Sequence, residues 1–308
     1  MTSRRWTKDS PVPTTATRAS FFTPEFLAQL ERLSLLSRRT FRGSIKGERR
    51  SPRRGHSVEF ADYRAYGHGD DLRYVDWNIY GRLDRLHVKL FVDEEDLCLH
   101  LLVDASASMG FGAPSKLHYG VRLAAALGFV GLVNFERVGL GVLRERVAEG
   151  FPPTRGRGHV LPLMDFLAKI EPAGGTRLDD GLANYAQRVR EPGLVILVSD
   201  LLDTAGYERG IRALLERRFD VHVVHLLDPE EMNPTMGGDL RLIDSETGEL
   251  RDLTVDGEAL RDYRDRLRAF LERAETFCRT HEIGYHRVIT DTPVEAFVVA
   301  QLRGRILG

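Results

Sequence analysis

The sequence is poor in cysteine and has no long apolar run. Its two cysteines, Cys98 and Cys278, stand too far apart for a metal-binding or redox motif. Such sparing use of cysteine is typical of a reducing compartment. Residues 1–20 lack the apolar stretch of a secretory signal, and uninterrupted apolar runs such as Leu194–Val198 are far too short to cross a bilayer. We therefore expect a soluble, cytoplasmic protein without a membrane span, whose cysteines are free thiols.

A large excess of either charge is also missing from the chain as a whole. The net charge is −1, so no overall field favours a nucleic acid or a membrane surface. The distribution is uneven, because residues 1–55 carry thirteen Lys and Arg against four Asp and Glu, a net charge of +9. This asymmetry indicates an acidic contact for the N-terminal arm, on the chain itself or on an acidic client, with a solvated tail as the alternative for residues 1–20. The basic loop around Arg49–Arg54 lacks interleaved aromatic residues, so we expect no nucleic-acid partner.

The pattern of apolar residues divides the chain into three parts. Residues 1–57 are a basic N-terminal arm with a short helix, which begins at the Thr23-Pro24 cap and runs to about Arg38. Residues 58–95 mix aromatic and charged side chains without a helical period, and we expect irregular structure and short strands that pack on the next domain. Over residues 96–308 strands and helices alternate, with a hairpin insertion near 240–255. This alternation predicts an α/β domain with a doubly wound, mostly parallel sheet of the Rossmann type.

One strand pattern in this domain ends in alternating polar side chains. Three oxygen-bearing residues follow the apolar run that ends at Val103: Asp104, Ser106 and Ser108. Another apolar run ends shortly before Asp200. Ligands bind open α/β sheets at the carboxyl ends of strands, where the strand order reverses, so Asp104 and Asp200 should be neighbours there. The Gly-Gly-Thr turn that ends at Thr176 can bring a further hydroxyl to the same rim.

Two carboxylates and three hydroxyls at one rim are a set of hard oxygen ligands. This set suits Mg²⁺, or Mn²⁺ in its place, and suits zinc or copper poorly. A capping turn before the helix near residue 116 is the structural alternative. A haloacid-dehalogenase-like phosphatase needs a second aspartate where Ser106 stands, and the glycines at 110 and 112 do not complete a dinucleotide-binding loop. The two serines also lack a G-x-S-x-G elbow and an obvious base.

Other conspicuous residues are interpreted structurally. The charged residues at 64–76 can pair with one another, and Tyr66, Tyr74 and Trp77 can be buried on the α/β domain; recognition of a partner by this segment is the alternative. Two histidines in an apolar strand, at 222 and 225, are expected to be buried and hydrogen-bonded. Asp203 is expected to cap the helix that follows it, with a supporting role at the rim as the alternative.

The D-A-S-A-S motif at 104–108, followed by Thr176 and Asp200, resembles the metal-ion-dependent adhesion site of von Willebrand factor A domains. Residues upstream resemble the segment that precedes this domain in the bacterial family called domain of unknown function 58: Glu59, Phe60, Arg64, Ala65, Tyr66, Gly69, Asp70, Asp71, Arg73, Asp76, Trp77, Phe91 and Glu94. The resemblance covers roughly residues 41–308. It implies a von Willebrand factor A-like fold and a MoxR-type AAA+ ATPase as the partner.

We therefore expect a non-catalytic, divalent-metal-dependent protein-interaction module, acting as an adaptor or co-chaperone of that ATPase. Its expected metal ligands are Asp104, Ser106, Ser108, Thr176 and Asp200. A metal-dependent hydrolase or phosphatase that uses the same rim is the alternative function. The sequence disfavours this alternative because no general base is evident beside the ion.

Overall fold

The computed structural model describes residues 22–33, 60–91, 98–134, 136–144, 149–175, 177–235, 237–243 and 250–304. The chain divides into two units, one made of Met1–Phe41 with Leu97–Gly308 and the other of Arg42–Asp96. We call the first the α/β unit and the second the upstream unit. Several predicted features lie outside the described residues: Thr176, the helix end at 34–38, the basic loop at 41–57 and the hairpin turn at 246–248.

The elements are numbered along the chain. The helices are α1 (24–33), α2 (Trp77–Leu83), α3 (Lys116–Val133), α4 (Val160–Leu167), α5 (Leu178–Arg188), α6 (Glu208–Glu216), α7 (Pro229–Met232), α8 (Gly257–Thr280) and α9 (Val294–Gly304). The strands are β1 (Phe60–Ala65), β2 (His87–Phe91), β3 (Cys98–Asp104), β4 (Arg137–Leu143), β5 (Glu149–Arg155), β6 (Leu194–Ser199), β7 (Asp220–Leu227), β8 (Gly238–Ile243), β9 (Leu250–Val255) and β10 (Gly284–Ile289).

The central sheet of the α/β unit has six strands in the order β10-β7-β6-β3-β4-β5. Neighbouring strands are parallel except for β4 and β5, which pair as an antiparallel hairpin. From the central strand β3 the chain continues to β4 on one side, and later crosses to β6 and β7 on the other. The sheet is therefore doubly wound and mostly parallel, which confirms the predicted fold class. A separate antiparallel pair, β8 with β9, forms the predicted hairpin insertion.

Alternating side chains of the central strands fill two cores, one on each face of the sheet. Leu101 and Ile196 point into the core that contains α1, α3, α4 and α9. Leu102 and Leu197 point into the opposite core, with α5, α6 and α8. Successive residues of a strand face opposite sides, so strands covered on both faces are apolar throughout. This explains the continuous apolar runs that mark β3 and β6 in the sequence.

Helix α1 packs into the first of these cores, although it precedes the sheet by more than sixty residues in the chain. The Thr23 hydroxyl oxygen accepts a hydrogen bond from the Phe26 backbone N–H at 3.3 Å, which confirms the predicted cap. Phe26 and Leu30 are fully buried in the core. The Arg122 guanidinium lies over the Phe26 ring, 4.4 Å from its centroid, and ties α1 to α3.

The sequence led us to expect no apolar segment long enough to cross a bilayer, but α3 is long and apolar enough by length and composition, the only described helix that is. Most of its residues are buried between the sheet and the helices α1, α4 and α9. Core helices of folded domains have the same apolar composition. The protein itself therefore covers the apolar surface of α3.

The upstream unit contains a pair of strands, a short helix and the ion pairs that its sequence allows. β1 and β2 pair antiparallel. Arg64 contacts Asp70 at 2.9 Å, and Arg73 contacts Asp71 at 2.7 Å. Asp76 caps α2, accepting from the Asn78 N–H at 2.8 Å, which makes a helix where the sequence predicted irregular structure. Trp77 is 61% exposed, and the packing of this segment on the α/β domain stays a prediction.

Candidate functional site

The candidate site lies at the carboxyl ends of β3 and β6, the two central strands of the sheet. Asp104 is the last residue of β3, and Asp200 directly follows β6. The parallel register pairs Val103 with Val198, so the two aspartates lie on adjacent strands at the same edge. The charge of Asp200 acts on Asp104. The prediction that these carboxylates are neighbours at the point where the strand order reverses is therefore confirmed.

Asp104 is fully buried, and hydrogen bonds from the protein fix its carboxylate. One oxygen, Oδ1, accepts from the Ser106 backbone N–H at 2.9 Å. The other, Oδ2, accepts from the Ser199 hydroxyl at 2.6 Å. Burial, with a further contribution from the charge of Asp200, raises the pKa of Asp104 above its ordinary value, although these hydrogen bonds oppose the shift. A cation near this rim would favour the charged form.

The two serines of the motif lie side by side. Ser106 is fully buried and Ser108 partly so, and their Oγ atoms are 3.0 Å apart. Ser106 precedes a 3₁₀ turn at Ala107–Gly110 but makes no side-chain capping bond to it. The alternative of a capping turn therefore explains the position of Asp104, whose carboxylate accepts from the Ser106 N–H. It does not explain the position of the Ser106 hydroxyl, which caps nothing. The paired hydroxyls are oxygen donors of the kind that Mg²⁺ accepts.

Thr176 lies outside the described residues, but the loop that leads to it runs beside the motif. The Ala107 N–H donates to the Gly174 carbonyl at 2.9 Å, and the Ala173 N–H donates to the Ala105 carbonyl at 3.0 Å. Gly174 has φ +68°, in the left-handed region that suits glycine. A contribution of the Thr176 hydroxyl to the rim stays a prediction.

The sequence did not predict the lysine at this rim. Lys116, the first residue of α3, is fully buried, and its Nζ donates to Asp200 Oδ2 at 2.8 Å and to Glu231 Oε1 at 2.5 Å. Burial alone lowers the pKa of Lys116, but the two carboxylates raise it above its ordinary value, so the side chain is an ammonium. The signal that the sequence offered is a cation at a helix N-terminus, where the helix dipole disfavours it.

Asp200 uses both of its oxygens within the protein. Oδ2 is bound to Lys116, and Oδ1 accepts from the Leu202 backbone N–H at 3.1 Å. Leu201, which lies between Asp200 and Leu202, adopts φ +56°, a left-handed conformation that is unusual for leucine. Its N–H donates to the Ser199 hydroxyl oxygen at 2.9 Å, which holds this turn. Strained backbone of this kind is often found at functional sites.

The predicted ligands differ in how well they fit a divalent metal. The hydroxyls of Ser106 and Ser108 fit, and so does Asp104, which lies beside them in sequence and is coupled to them by hydrogen bonds. Asp200 fits as a direct ligand only if its ion pair with Lys116 opens. Within the described ranges, no three His, Cys, Asp or Glu side chains are grouped as a metal site. A metal at this rim would therefore depend on hydroxyl oxygens.

Asp203 does not cap the helix that follows it, so that prediction was wrong. Its Oδ2 accepts from the Leu178 N–H at 2.6 Å, at the start of α5, and its Oδ1 accepts from the Ala205 N–H at 2.8 Å. A turn separates Asp203 from α6, which begins at Glu208. Asp203 thus anchors the start of the helix that follows Thr176, which is a structural role one step away from the rim.

The two strand histidines are buried and bonded, as predicted. His225 Nδ1 lies 2.7 Å from the Tyr285 hydroxyl, and His222 Nδ1 lies 3.2 Å from His286 Nε2. Both cysteines, Cys98 and Cys278, are free and buried. The core role predicted for the two histidines and the free state predicted for the two thiols are therefore confirmed.

Comparisons with known proteins place the chain in a family. Similar solved structures include BatB from Bacteroides thetaiotaomicron, 17% identical with a TM-score of 0.42, covering 68% of this chain and 98% of that one. They also include the SpRpn10 VWA domain, 14% identical with a TM-score of 0.37, covering 68% of this chain and 96% of that one. Two relatives, uncharacterized proteins of Mycobacterium bovis and Mycobacterium tuberculosis, are each 30% identical over 255 residues, which are 81% of this chain and 80% of each relative. The model of the family described as "Protein of unknown function DUF58" matches residues 62–272, and the chain belongs to this family.

Proposed function

We propose that this chain is a non-catalytic protein-interaction module that depends on a divalent metal, Mg²⁺ or Mn²⁺. The observation that carries the proposal is the pair of hydroxyls, Ser106 and Ser108, 3.0 Å apart beside the buried carboxylate of Asp104. Asp104 ends the central strand β3 and the two serines follow it, at the edge where open α/β sheets bind their ligands. Ser108 is partly exposed, so this rim is accessible from outside.

The chemistry of the rim supports an interaction through the metal. Ser106, Ser108 and Asp104 would hold the ion, with Thr176 as the predicted third hydroxyl. Two neutral hydroxyls and one carboxylate leave a divalent cation with unbalanced positive charge, because the second carboxylate, Asp200, is already paired with Lys116. Magnesium binds oxygen ligands and keeps several waters, so a carboxylate of a partner protein can replace one of them.

The proposed partner is a MoxR-type AAA+ ATPase, for which the chain acts as a cytoplasmic adaptor or co-chaperone. The resemblance to the bacterial family called domain of unknown function 58 supports this partner. The free, buried thiols of Cys98 and Cys278 agree with a reducing compartment. A catalytic role is disfavoured because Asp104 is fully buried and Asp200 is held in an ion pair by the Lys116 ammonium. A general base must reach the proton that it removes.

The affinity of the chain for the MoxR-type ATPase of its own organism tests the proposal. We expect binding in Mg²⁺ to weaken about tenfold or more in EDTA, and equally for Ser106→Ala in Mg²⁺. Thr280→Ala is the matched control, since it removes an exposed hydroxyl from the end of α8. Binding should be measured by calorimetry on variants whose melting curves show that they are folded.

Equal affinity in Mg²⁺, in EDTA and for Ser106→Ala would show that the rim is not the docking surface. Phosphatase and esterase assays with and without Mg²⁺ address the catalytic alternative. Turnover that requires Mg²⁺ and is lost in Ser106→Ala would replace the proposed function by that of a hydrolase.

A further inference from the structure

A permanent cation is built into the rim beside the proposed metal ligands. The Lys116 ammonium is fully buried, and each of its carboxylate partners, Asp200 and Glu231, lies within hydrogen-bond distance. Charge-assisted bonds of this kind are strong in a desolvated site, and a buried ion left without its partner is costly. The Lys116 ammonium therefore engages Asp200 Oδ2, which is not free to bind a divalent cation while this ion pair is closed.

The lysine is held by fixed elements on both sides. On its own side Ser115 caps α3, accepting from the His118 N–H at 3.2 Å, and the Lys116 backbone N–H donates to the Phe111 carbonyl at 2.9 Å. On the other side the second carboxylate oxygen of Glu231 accepts from the Asp228 N–H at 2.8 Å in the capping box of α7. The ammonium site is thus assembled from β6, α3 and α7.

We propose that Lys116 is a specificity-determining residue of the rim, whose ammonium removes Asp200 from the metal's ligand set. The inference rests on the proposed function, because it concerns the same metal. While Asp200 is paired with Lys116, the ligands left for the divalent metal among the described residues are the Asp104 carboxylate and the hydroxyls of Ser106 and Ser108. The site then binds a divalent cation weakly when alone, and a carboxylate from the partner supplies the charge that Asp200 does not.

A double-mutant cycle with Mn²⁺ as the probe tests this inference. Mn²⁺ affinity should be measured by calorimetry and by electron paramagnetic resonance for the full chain, Lys116→Met, Asp200→Asn and the double variant. We expect Lys116→Met to bind Mn²⁺ about tenfold more tightly than the parent, because Asp200 becomes free to bind it. Asp200→Asn should change the parent affinity less than about threefold, and in the double variant the gain from Lys116→Met should disappear.

Two further variants keep the test decisive. Lys116→Gln is neutral but can donate a hydrogen bond to Asp200, so it covers the case in which Lys116→Met fails to fold, and it should also tighten Mn²⁺ binding. Arg268→Met removes an exposed cation of α8 and should leave the Mn²⁺ affinity unchanged. In both the parent and Lys116→Met, Ser106→Ala should weaken Mn²⁺ binding.

The outcomes separate this inference from the proposed function. If Lys116→Met and Lys116→Gln bind Mn²⁺ no better than the parent, while Ser106→Ala weakens binding, the metal site stands and the role of Lys116 is wrong. An equal gain from Lys116→Met with and without Asp200 would also overturn it, since the ammonium would then act only through its general field. Failure of every variant and the parent to bind Mn²⁺ overturns the inference together with the proposed metal site.

Discussion

His100, in the middle of β3, carries a titratable side chain into the core. It is fully buried; its Nδ1 lies 2.9 Å from the Tyr185 hydroxyl and its Nε2 lies 3.1 Å from the Glu191 carbonyl. Because a carbonyl only accepts, Nε2 donates to it, and Nδ1 accepts from the tyrosine. The neutral ring therefore satisfies both bonds. Burial lowers the pKa of His100 to about 4.

This shift predicts that acid destabilises the protein at pH values above the range in which exposed carboxylates titrate. In the unfolded chain His100 titrates near pH 6.5, so between about pH 6.5 and pH 4 the unfolded state binds a proton that the folded state does not. The free energy of unfolding should fall by about 2 kcal/mol between pH 7 and pH 5 through this group. His100→Gln should flatten the pH dependence by that amount, measured by urea denaturation at both pH values. An unchanged difference between pH 7 and pH 5 in His100→Gln would contradict the assignment.

Single residues also show how far the sequence predicts the site. Asp104 and Asp200 could be paired in advance because both follow apolar strand runs, and parallel strands end at one edge. The contact of Lys116 with Asp200 could not be predicted from the sequence, because it joins the start of a helix to the end of a strand 84 positions away. The one local signal was the unfavourable position of a lysine in the first turn of α3. Residues that break a local rule are often functional or compensated elsewhere, and Lys116 is compensated by two carboxylates.

Among the secondary-structure elements, those with a clear period were predictable and those without one were not. Apolar residues recur at helical spacing in α8, at Leu271, Ala274 and Cys278, and the strand β6 is a continuous apolar run. Helices α2 and α7, of 7 and 4 residues, are too short to show such a period. The sequence does contain their capping residues, since Asp76 directly precedes α2, and Asp228 directly precedes Pro229, the first residue of α7. The capping chemistry was thus in the sequence, but nothing around it indicated a helix.

Helix α1 should contribute to the stability of the α/β unit in spite of its distance along the chain. Leu30 is fully buried in the core that α1 shares with α3, so Leu30→Ala leaves a cavity there. We expect Leu30→Ala to lower the free energy of unfolding by about 3 kcal/mol. Gln29→Ala, on the exposed face of the same helix, should change it by less than about 0.5 kcal/mol. Chemical denaturation measures both, and equal effects would mean that α1 does not pack on the core in solution.

For the whole molecule, the fold class was predictable because alternating strands and helices allow few arrangements. The doubly wound order follows from that alternation, and each core residue of β3 and β6 then has a fixed face. The upstream unit was less predictable, because aromatic and charged residues without a period fit several local structures. Its internal ion pairs, such as Arg64 with Asp70, followed from charge alone.

The uneven charge of the chain leads to a prediction about how fast it finds its partner. Residues 1–55 carry a net charge of +9, and an acidic ATPase surface would be attracted over about a Debye length, which is about 8 Å at physiological salt. The association rate constant should therefore fall as NaCl rises from about 0.05 to 0.3 M. A variant with glutamine at Arg49, Arg50, Arg53 and Arg54 should associate more slowly at low salt and show a shallower salt dependence, measured by stopped-flow fluorescence. Its dissociation rate should still depend on Mg²⁺, because the metal contact is short-ranged and directional. If the neutralised variant keeps the salt dependence of the parent, the N-terminal arm does not steer the encounter, and the attraction must arise elsewhere on the molecule.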